Sequence, residues 1–266
     1  MKIKLFLLVF IFYLVRDLSQ AQERGLMSSS HTVYQEMTKS NLINNEEKQK
    51  IICNYASLYQ VNPLGIVAIL WKQAEFQDEA ELVMSDLAKL HALNQSSNNE
   101  MIELYKQTKL IDIEYESHGL MIPSRNSFDG IIFNSIGASE IKIYIAMRMV
   151  ETKWFQNAEK YLNEANDPDP LLIVNALRTF EGSVEFIAAA LYWMKTTYAN
   201  LTKIKDVTQN LGMVWQLHKT GNFNAIAMRR RTHELSGNPL PIRVSSNGHI
   251  PKEILNAFDC SLFEEQ

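Results

Sequence analysis

The chain of 266 residues is poor in the residues that make tight turns, with only ten glycines and seven prolines. So few turn formers disfavour a β-sandwich, whose many short strands must be joined by frequent turns. An excess of positive charge is also lacking, because 26 basic and 30 acidic residues give a formal net charge of −4. A general nucleic-acid-binding surface needs a basic balance, so we expect no nucleic-acid partner.

Cysteines and metal-binding motifs are equally scarce. Cys53 and Cys260 are the only cysteines, the six histidines are scattered, and no Cys-x-x-Cys, His-Glu-x-x-His or calcium-loop pattern occurs. We therefore expect neither a metal nor a cofactor. Outside the cytoplasm the two cysteines could pair, which would stabilise the fold by roughly 4–5 kcal/mol in the chain-entropy model. The alternative is two buried, unpaired thiols, and the sequence does not decide between them.

The N-terminus has the pattern of a secretory signal peptide. Lys2 and Lys4 precede an unbroken apolar run, Leu5 to Val15, and a small-x-small site ends at Ala21. Eleven apolar residues are short for a membrane span, which needs about 20. We expect residues 1–21 to be removed and the product to be periplasmic or secreted, with no later membrane span. An uncleaved membrane anchor is the alternative.

Helical periodicity dominates the rest of the chain. A polar lead-in over 22–44 precedes it, and residues 100–133 begin helical and finish irregularly. No stretch alternates strictly and no repeat is present, so we predict an all-α protein with one domain over 45–266. The helices are expected over 45–59, 63–73, 79–93, 139–163, 170–177, 184–198 and 207–215.

Four segments carry the residues of chemical interest. They are residues 68–76 at the end of an apolar helix, 134–142 with small residues before a helix, 177–193 with an Ala-rich helix, and 215–222. In this order they resemble the lysozyme-like superfamily of soluble lytic transglycosylases and goose-type lysozymes. Members have a catalytic Glu at the end of a buried helix, a Ser-x-Gly-x-x-Gln motif, an Ala-rich helix and a Tyr-Asn-x-Gly segment.

The similarity covers roughly residues 60–235 and departs from the family pattern in four places, one of which is the position of the catalytic acid. The segment Ser135–Glu140 looks like Ser-x-Gly-x-x-Gln, with Glu140 in place of Gln. Residues 217–221 occupy the position of Tyr-Asn-x-Gly without its Tyr or Asn. Residues 100–133 form an insertion that would be a lid, a binding loop or a helical surface insert without a ligand.

The resemblance implies a lysozyme-like domain that acts on or binds peptidoglycan, with cleavage by a single carboxyl and no metal or cofactor. Helix 63–73 would be the buried central helix, and Ser135–Glu140 would cap a cleft beside its C-terminal end. The cleft would be lined by Gln73, Ser135, Gly137, Trp215 and His218.

The catalytic acid is the weak point of the resemblance. An ungapped alignment places Gln73 where the family has its Glu, and an amide has no proton to give to a leaving oxygen. Glu75, the first candidate acid, lies about 200° further round the helix and could serve only if the helix ended near residue 73. Glu140 is the second candidate. The alternative for both is a solvated carboxylate, at a helix end for Glu75 and in the first turn of a helix for Glu140.

Two other functions are also compatible with the sequence. One is a catalytically inactive protein of the same fold that binds glycan or a partner. The other is an unrelated helical export protein that binds a partner protein and has no cleft between residues 60–80 and 135–150.

Overall fold

The computed structural model describes residues 45–76, 88–93, 95–118, 120, 122–123, 125, 129–137, 139–221, 223–240, 256 and 258–263. The prediction of an all-α fold is confirmed, since helices dominate and the described residues form one small two-stranded sheet. The α-helices are α1 Glu46–Leu58, α2 Pro63–Phe76, α3 Asn98–Ser117, α4 Ile143–Val150, α5 Pro170–Leu177, α6 Phe180–Leu201, α7 Leu211–Thr220 and α8 Phe223–Leu235. Residues 88–93 are also helical, and short 3-10 turns occur at Ile131–Phe133, Ala158–Tyr161, Val207–Gln209 and Cys260–Phe263.

Side-chain caps explain where several helices begin. Asn45 accepts the Lys48 N–H at the start of α1 (3.1 Å), and Asn210 accepts the Met213 N–H at the start of α7 (3.0 Å). Asp169 caps α5, with Pro170 as its first residue. These side-chain oxygens satisfy backbone donors that the first turn of a helix leaves unpaired.

Helix α2 lies at the centre of the fold. Residues 66–70 are 0–1% exposed, and the helix packs against α1, α6 and α7. Such complete burial of residues 66–70 fits the sequence, because these residues are all apolar and contain no polar side-chain atom that would need a partner. The prediction of a buried helix here is confirmed, and the helix continues three residues beyond Gln73 to Phe76.

A short antiparallel hairpin stands beside this central helix. Strands β1 (Ser135–Ile136) and β2 (Ile141–Lys142) pair Ile136 with Ile141. Gly137 in the turn has φ +74°, and a Cβ there would lie 1.8 Å from the Leu177 carbonyl oxygen. Only glycine therefore allows the turn to sit directly on the C-terminal end of α5.

The long helix predicted over residues 139–163 is wrong. Residues 139–142 belong to the hairpin, and the helix that follows, α4, ends at Val150. The Thr152 hydroxyl donates to the Met149 carbonyl at this end (2.7 Å), and the chain then turns. The turns bring Phe155 and Tyr161 against Phe186 of α6, with ring centroids 5.0 and 5.2 Å away. Burial of these aromatic rings therefore favours the turns after Val150 over a continuation of the helix.

The two cysteines form a disulfide. Cys53 of α1 is bonded to Cys260 in the last 3-10 turn, with a Cα–Cα distance of 5.5 Å. Of the two alternatives that the sequence left open, the structure therefore shows pairing. The bond joins positions 207 residues apart and holds the C-terminal segment on the first helix of the fold.

Several predictions lie outside the described residues. They are the signal peptide over 1–21, the polar lead-in over 22–44, and residues 79–87 of the helix predicted over 79–93. Within the described part of the chain, no helix combines the length and the apolar character needed to cross a membrane.

Candidate functional site

A cavity of about 690 Å³ lies between the end of α2, the hairpin and the α7–α8 corner. This volume falls within the range of roughly 300–1,000 Å³ typical of ligand sites. Five of the seven site residues predicted from the sequence line it, namely Gln73, Ser135, Glu140, Trp215 and His218. The structure thus brings together three segments that are far apart in sequence, at the place where the resemblance expects a cleft.

The other two predicted residues differ. Gly137 is buried against Leu177 and does not line the cavity, so its role here is to seat the hairpin. The side chain of Glu75 lies outside the described part of the structure. Its backbone is helical and α2 runs on to Phe76, so the bend near residue 73 on which its use as an acid depended is not observed. Glu75 as the acid stays a prediction.

Glu140 stands at the turn of the hairpin with an unusual backbone. Its φ is +50°, in the left-handed region that non-glycine residues rarely adopt. Its N–H donates to the Gly137 carbonyl (3.1 Å), and its carboxylate accepts the Ser135 hydroxyl (2.7 Å). The paired strands and these two bonds hold the conformation and place the carboxylate at the cavity wall.

His218 fixes the same turn from the opposite side. Its Nε2 is 2.9 Å from the Ser139 carbonyl oxygen. Burial lowers the pKa of His218 to about 4, although the bond to Ser139 acts in the opposite direction, so the ring is neutral at pH 7. A carbonyl oxygen only accepts, so Nε2 carries the proton. The Trp215 ring stacks on the imidazole at 6.3 Å and 27°.

Gln73 forms the part of the wall contributed by α2. Its side chain is 8% exposed and lines the cavity. At this position a carboxyl would be able to deliver a proton, whereas the amide can only donate and accept hydrogen bonds. The described carboxylates that line the cavity are instead Asp112 and Glu140.

Asp112 is fully buried and already paired. Both of its oxygens contact the Arg125 guanidinium, at 2.6 and 2.9 Å, and the Tyr144 hydroxyl donates to it at 2.6 Å. Burial and this bond raise the pKa of Tyr144. This close ion pair within a buried site suits Asp112 to positioning Arg125 rather than to proton transfer.

A second, partly buried ion pair connects the helices that surround the cavity. Arg148 of α4 makes a two-pronged contact with Glu116 of α3 at 2.9 and 3.0 Å, and its guanidinium lies over the Trp193 ring. Asn224 of α8 donates to the same carboxylate at 3.4 Å. Together these contacts lock α3, α4, α6 and α8 around the site.

Lys142 and Asp112 were missed as site residues by the sequence reasoning. For Asp112 a signal existed, because Tyr105, Thr108 and Asp112 recur at helical spacing and form one buried face of α3. For Lys142 no sequence signal singled out this residue among the other lysines. Its Nζ donates to the Arg125 carbonyl at 2.8 Å, a contact that depends on the folded path of the insertion.

The described residues contain no cluster of three or more His, Cys, Asp or Glu side chains placed to hold a metal ion. What the cavity offers is hydrogen-bonding amide, hydroxyl and carboxylate groups, cationic side chains and an aromatic wall. Such a surface can bind a polar ligand with ring faces.

Comparison with protein-family models, with curated proteins and with solved structures finds no match to this chain.

Proposed function

We propose that the protein acts outside the cytoplasm on the β-1,4-linked amino-sugar strands of peptidoglycan, which bind in the cavity beside α2. The observation that carries the proposal is the common cavity of Gln73, Ser135, Glu140, Trp215 and His218. These residues come from the segments whose order resembles lytic transglycosylases and goose-type lysozymes. Sugar rings present hydroxyl and amide groups at their edges and apolar faces, which match a polar wall beside an aromatic ring.

Glu140 is the acid in this proposal. Glycosidic cleavage needs a carboxyl that protonates the leaving oxygen. Of the two described carboxylates at the cavity, Asp112 is tied to Arg125, while Glu140 is held by a neutral hydroxyl and is partly exposed. In lytic transglycosylases, which this chain resembles, the same carboxyl then acts as the base for internal ring closure.

A second candidate function is glycan binding without cleavage. It is favoured by Gln73, because an amide lines the cavity where the resemblance expects the acid. Both functions use the same cleft, and they differ in whether a carboxyl, Glu140 in this proposal, reaches the glycosidic oxygen.

The experiment is digestion of purified cell-wall sacculi, followed by measurement of released soluble fragments. We expect the Glu140→Gln variant to lose activity by about 10²–10⁴-fold, the usual contribution of a general acid. Glu164→Gln, at an exposed position, is the matched control and is expected to keep full activity.

The same assay separates the candidate functions. Sedimentation of the wild type with sacculi without release of fragments, combined with a gain of cleavage in Gln73→Glu, would favour the binding protein. If every folded variant neither binds nor cleaves sacculi, both glycan functions are wrong and the export protein that binds a partner protein remains.

The proposed compartment has its own test. Cleavage after Ala21 predicts a mature N-terminus at Gln22, which N-terminal sequencing of the secreted protein would detect. Recovery of the chain with Met1 in the membrane fraction would contradict the signal peptide.

A further inference from the structure

Cationic side chains line one part of the cavity. Arg125, Lys142 and Lys219 all contribute to it, against the two carboxylates of Asp112 and Glu140. Arg125 has its counter-ion in Asp112, and the Glu140 carboxylate accepts the Ser135 hydroxyl. Lys219 is exposed to solvent. Lys142 is partly buried, and none of these contacts pairs its positive charge with a carboxylate.

The surroundings of Lys142 leave its charge incompletely compensated. Its Nζ donates to one neutral acceptor, the Arg125 carbonyl at 2.8 Å, and it forms no ion pair with a carboxylate in the described part of the chain. Burial lowers the pKa of Lys142, and the positive charge of Arg125 lowers it further, while the negative charge of Asp129 acts in the opposite direction. An ammonium group has three donors, so two remain for a ligand in the cavity.

We propose that Lys142, backed by the charge of Arg125, forms an anion subsite that takes a carboxylate carried by the bound glycan. Removing a charge from water is costly when no opposite charge is near, and a ligand carboxylate would supply that charge through charge-assisted hydrogen bonds. A monoanion fits better than a phosphate dianion, because Asp112 and Glu140 line the same cavity and would repel the second charge. The inference rests on the proposed function and narrows its substrate to strands whose lactyl ether carboxylates are free, because a peptide joined to the lactyl group by an amide would remove the charge.

The test compares two defined tetrasaccharides of equal length by calorimetry. One is a neutral tetramer of N-acetylglucosamine, and the other alternates N-acetylglucosamine with N-acetylmuramic acid, whose lactyl carboxylates are free. The wild type is expected to prefer the acidic tetramer, and this preference is expected to shrink when salt is raised from 20 to 200 mM, as for any interaction between charges partly open to solvent.

Substitutions at position 142 test whether Lys142 causes the preference for the acidic tetramer. Lys142→Gln keeps a donor for the Arg125 carbonyl but removes the charge, and is expected to weaken binding of the acidic tetramer by about 10- to 100-fold relative to binding of the neutral one. Lys142→Arg is expected to restore most of the preference. Lys160→Gln, at an exposed position, is the matched control. Circular dichroism verifies that each variant is folded, and Lys142→Met replaces Lys142→Gln if the latter is not.

Each contrary result has a distinct meaning. Equal binding of both tetramers, unaffected at position 142, would overturn the anion subsite and leave the proposed function standing. A preference for the acidic tetramer that survives in Lys142→Gln would overturn the assignment to Lys142. Absence of binding to either tetramer would overturn the subsite and the proposed function together.

Discussion

At the scale of single residues, the site depends on one strained backbone position. Glu140 adopts φ +50°, which costs an L-residue about 1 kcal/mol and persists only when neighbouring contacts enforce it. The enforcing contacts include the Ser135 hydroxyl and the bond between His218 and the Ser139 carbonyl. The carboxylate is therefore held in place by residues that need not touch a ligand themselves.

The protonation of His218 predicts how stability depends on pH. Because its pKa falls from 6.5 to about 4 on folding, the unfolded chain binds a proton between these values while the folded chain does not. Stability from this group is therefore complete above pH 6.5 and is lost as pH falls towards 4, by up to about 3 kcal/mol. The free energy of unfolding, measured in urea at pH 7.0, 5.5 and 4.0, tests this prediction.

His218→Phe is expected to remove most of this dependence on pH, because it keeps a ring beside Trp215 but has no titrating group. His91→Gln, at an exposed position, serves as the control and is expected to retain the wild-type slope. A slope in His218→Phe equal to that of the wild type would show that other groups cause the loss.

At the scale of elements, the hairpin is placed by Gly137. Gly137→Ala is expected to destabilise the fold by at least about 2 kcal/mol, because the new Cβ would meet the backbone at the end of α5 and φ is positive. Gly237→Ala is the matched control, since its φ is also positive (+78°) but a Cβ there would meet no atom within 4 Å. Thermal unfolding of both variants tests this prediction, and equal losses of stability in the two would contradict a role for close packing at Gly137.

The docking of α3 depends on a partly buried ion pair. In the Arg148–Glu116 pair the side chains are 10% and 18% exposed, so Arg148→Met would leave a partly buried carboxylate without its cation and is expected to cost about 2 kcal/mol. Lys106→Met breaks the more exposed pair with Asp167, which is 44% and 25% exposed, and is expected to leave the unfolding midpoint nearly unchanged. Similar midpoints for both variants in urea would contradict this ranking.

The sequence predicted the elements whose burial is periodic and failed where tertiary contacts compete. Helix α2 follows from an unbroken apolar stretch, whereas the hairpin over residues 135–142 was not predicted, because only the turn after Ser135 was expected there. The long helix over residues 139–163 was wrong because Phe155 and Tyr161 gain more from packing on Phe186 than from continued helix. The hydrophobic periodicity of residues 139–163 does not reveal that Phe186 will pack against them.

At the scale of the whole molecule, the disulfide closes a very long loop. Cys53 and Cys260 are 207 residues apart, so the chain-entropy model predicts that the bond stabilises the fold by about 5 kcal/mol. Reduction under native buffer, or the double variant Cys53→Ser/Cys260→Ser, is expected to lower the free energy of unfolding by this order. The double variant should show no further change on reduction, and an unchanged wild-type midpoint in reductant would contradict the prediction.

The sequence could name most of the residues that line the cavity but could not distinguish their roles. Gln73, Glu140 and His218 were found because they lie in ordered motifs. Their division into an amide wall, a strained carboxylate and a neutral imidazole depends on distances that no spacing reveals. Lys142 was missed because its environment includes the Arg125 carbonyl, which lies 17 residues away in sequence in a segment without periodic pattern.

The measurement that tests the central claim most directly is an NMR titration of labelled protein with the tetramer that alternates N-acetylglucosamine and N-acetylmuramic acid. Binding in the cavity predicts the largest shifts at Gln73, Ser135, Glu140 and His218, and small shifts at exposed Lys160 and Glu164 on another part of the surface. Absence of shifts at millimolar ligand, or shifts centred away from the cavity, would contradict a glycan-binding cleft beside α2.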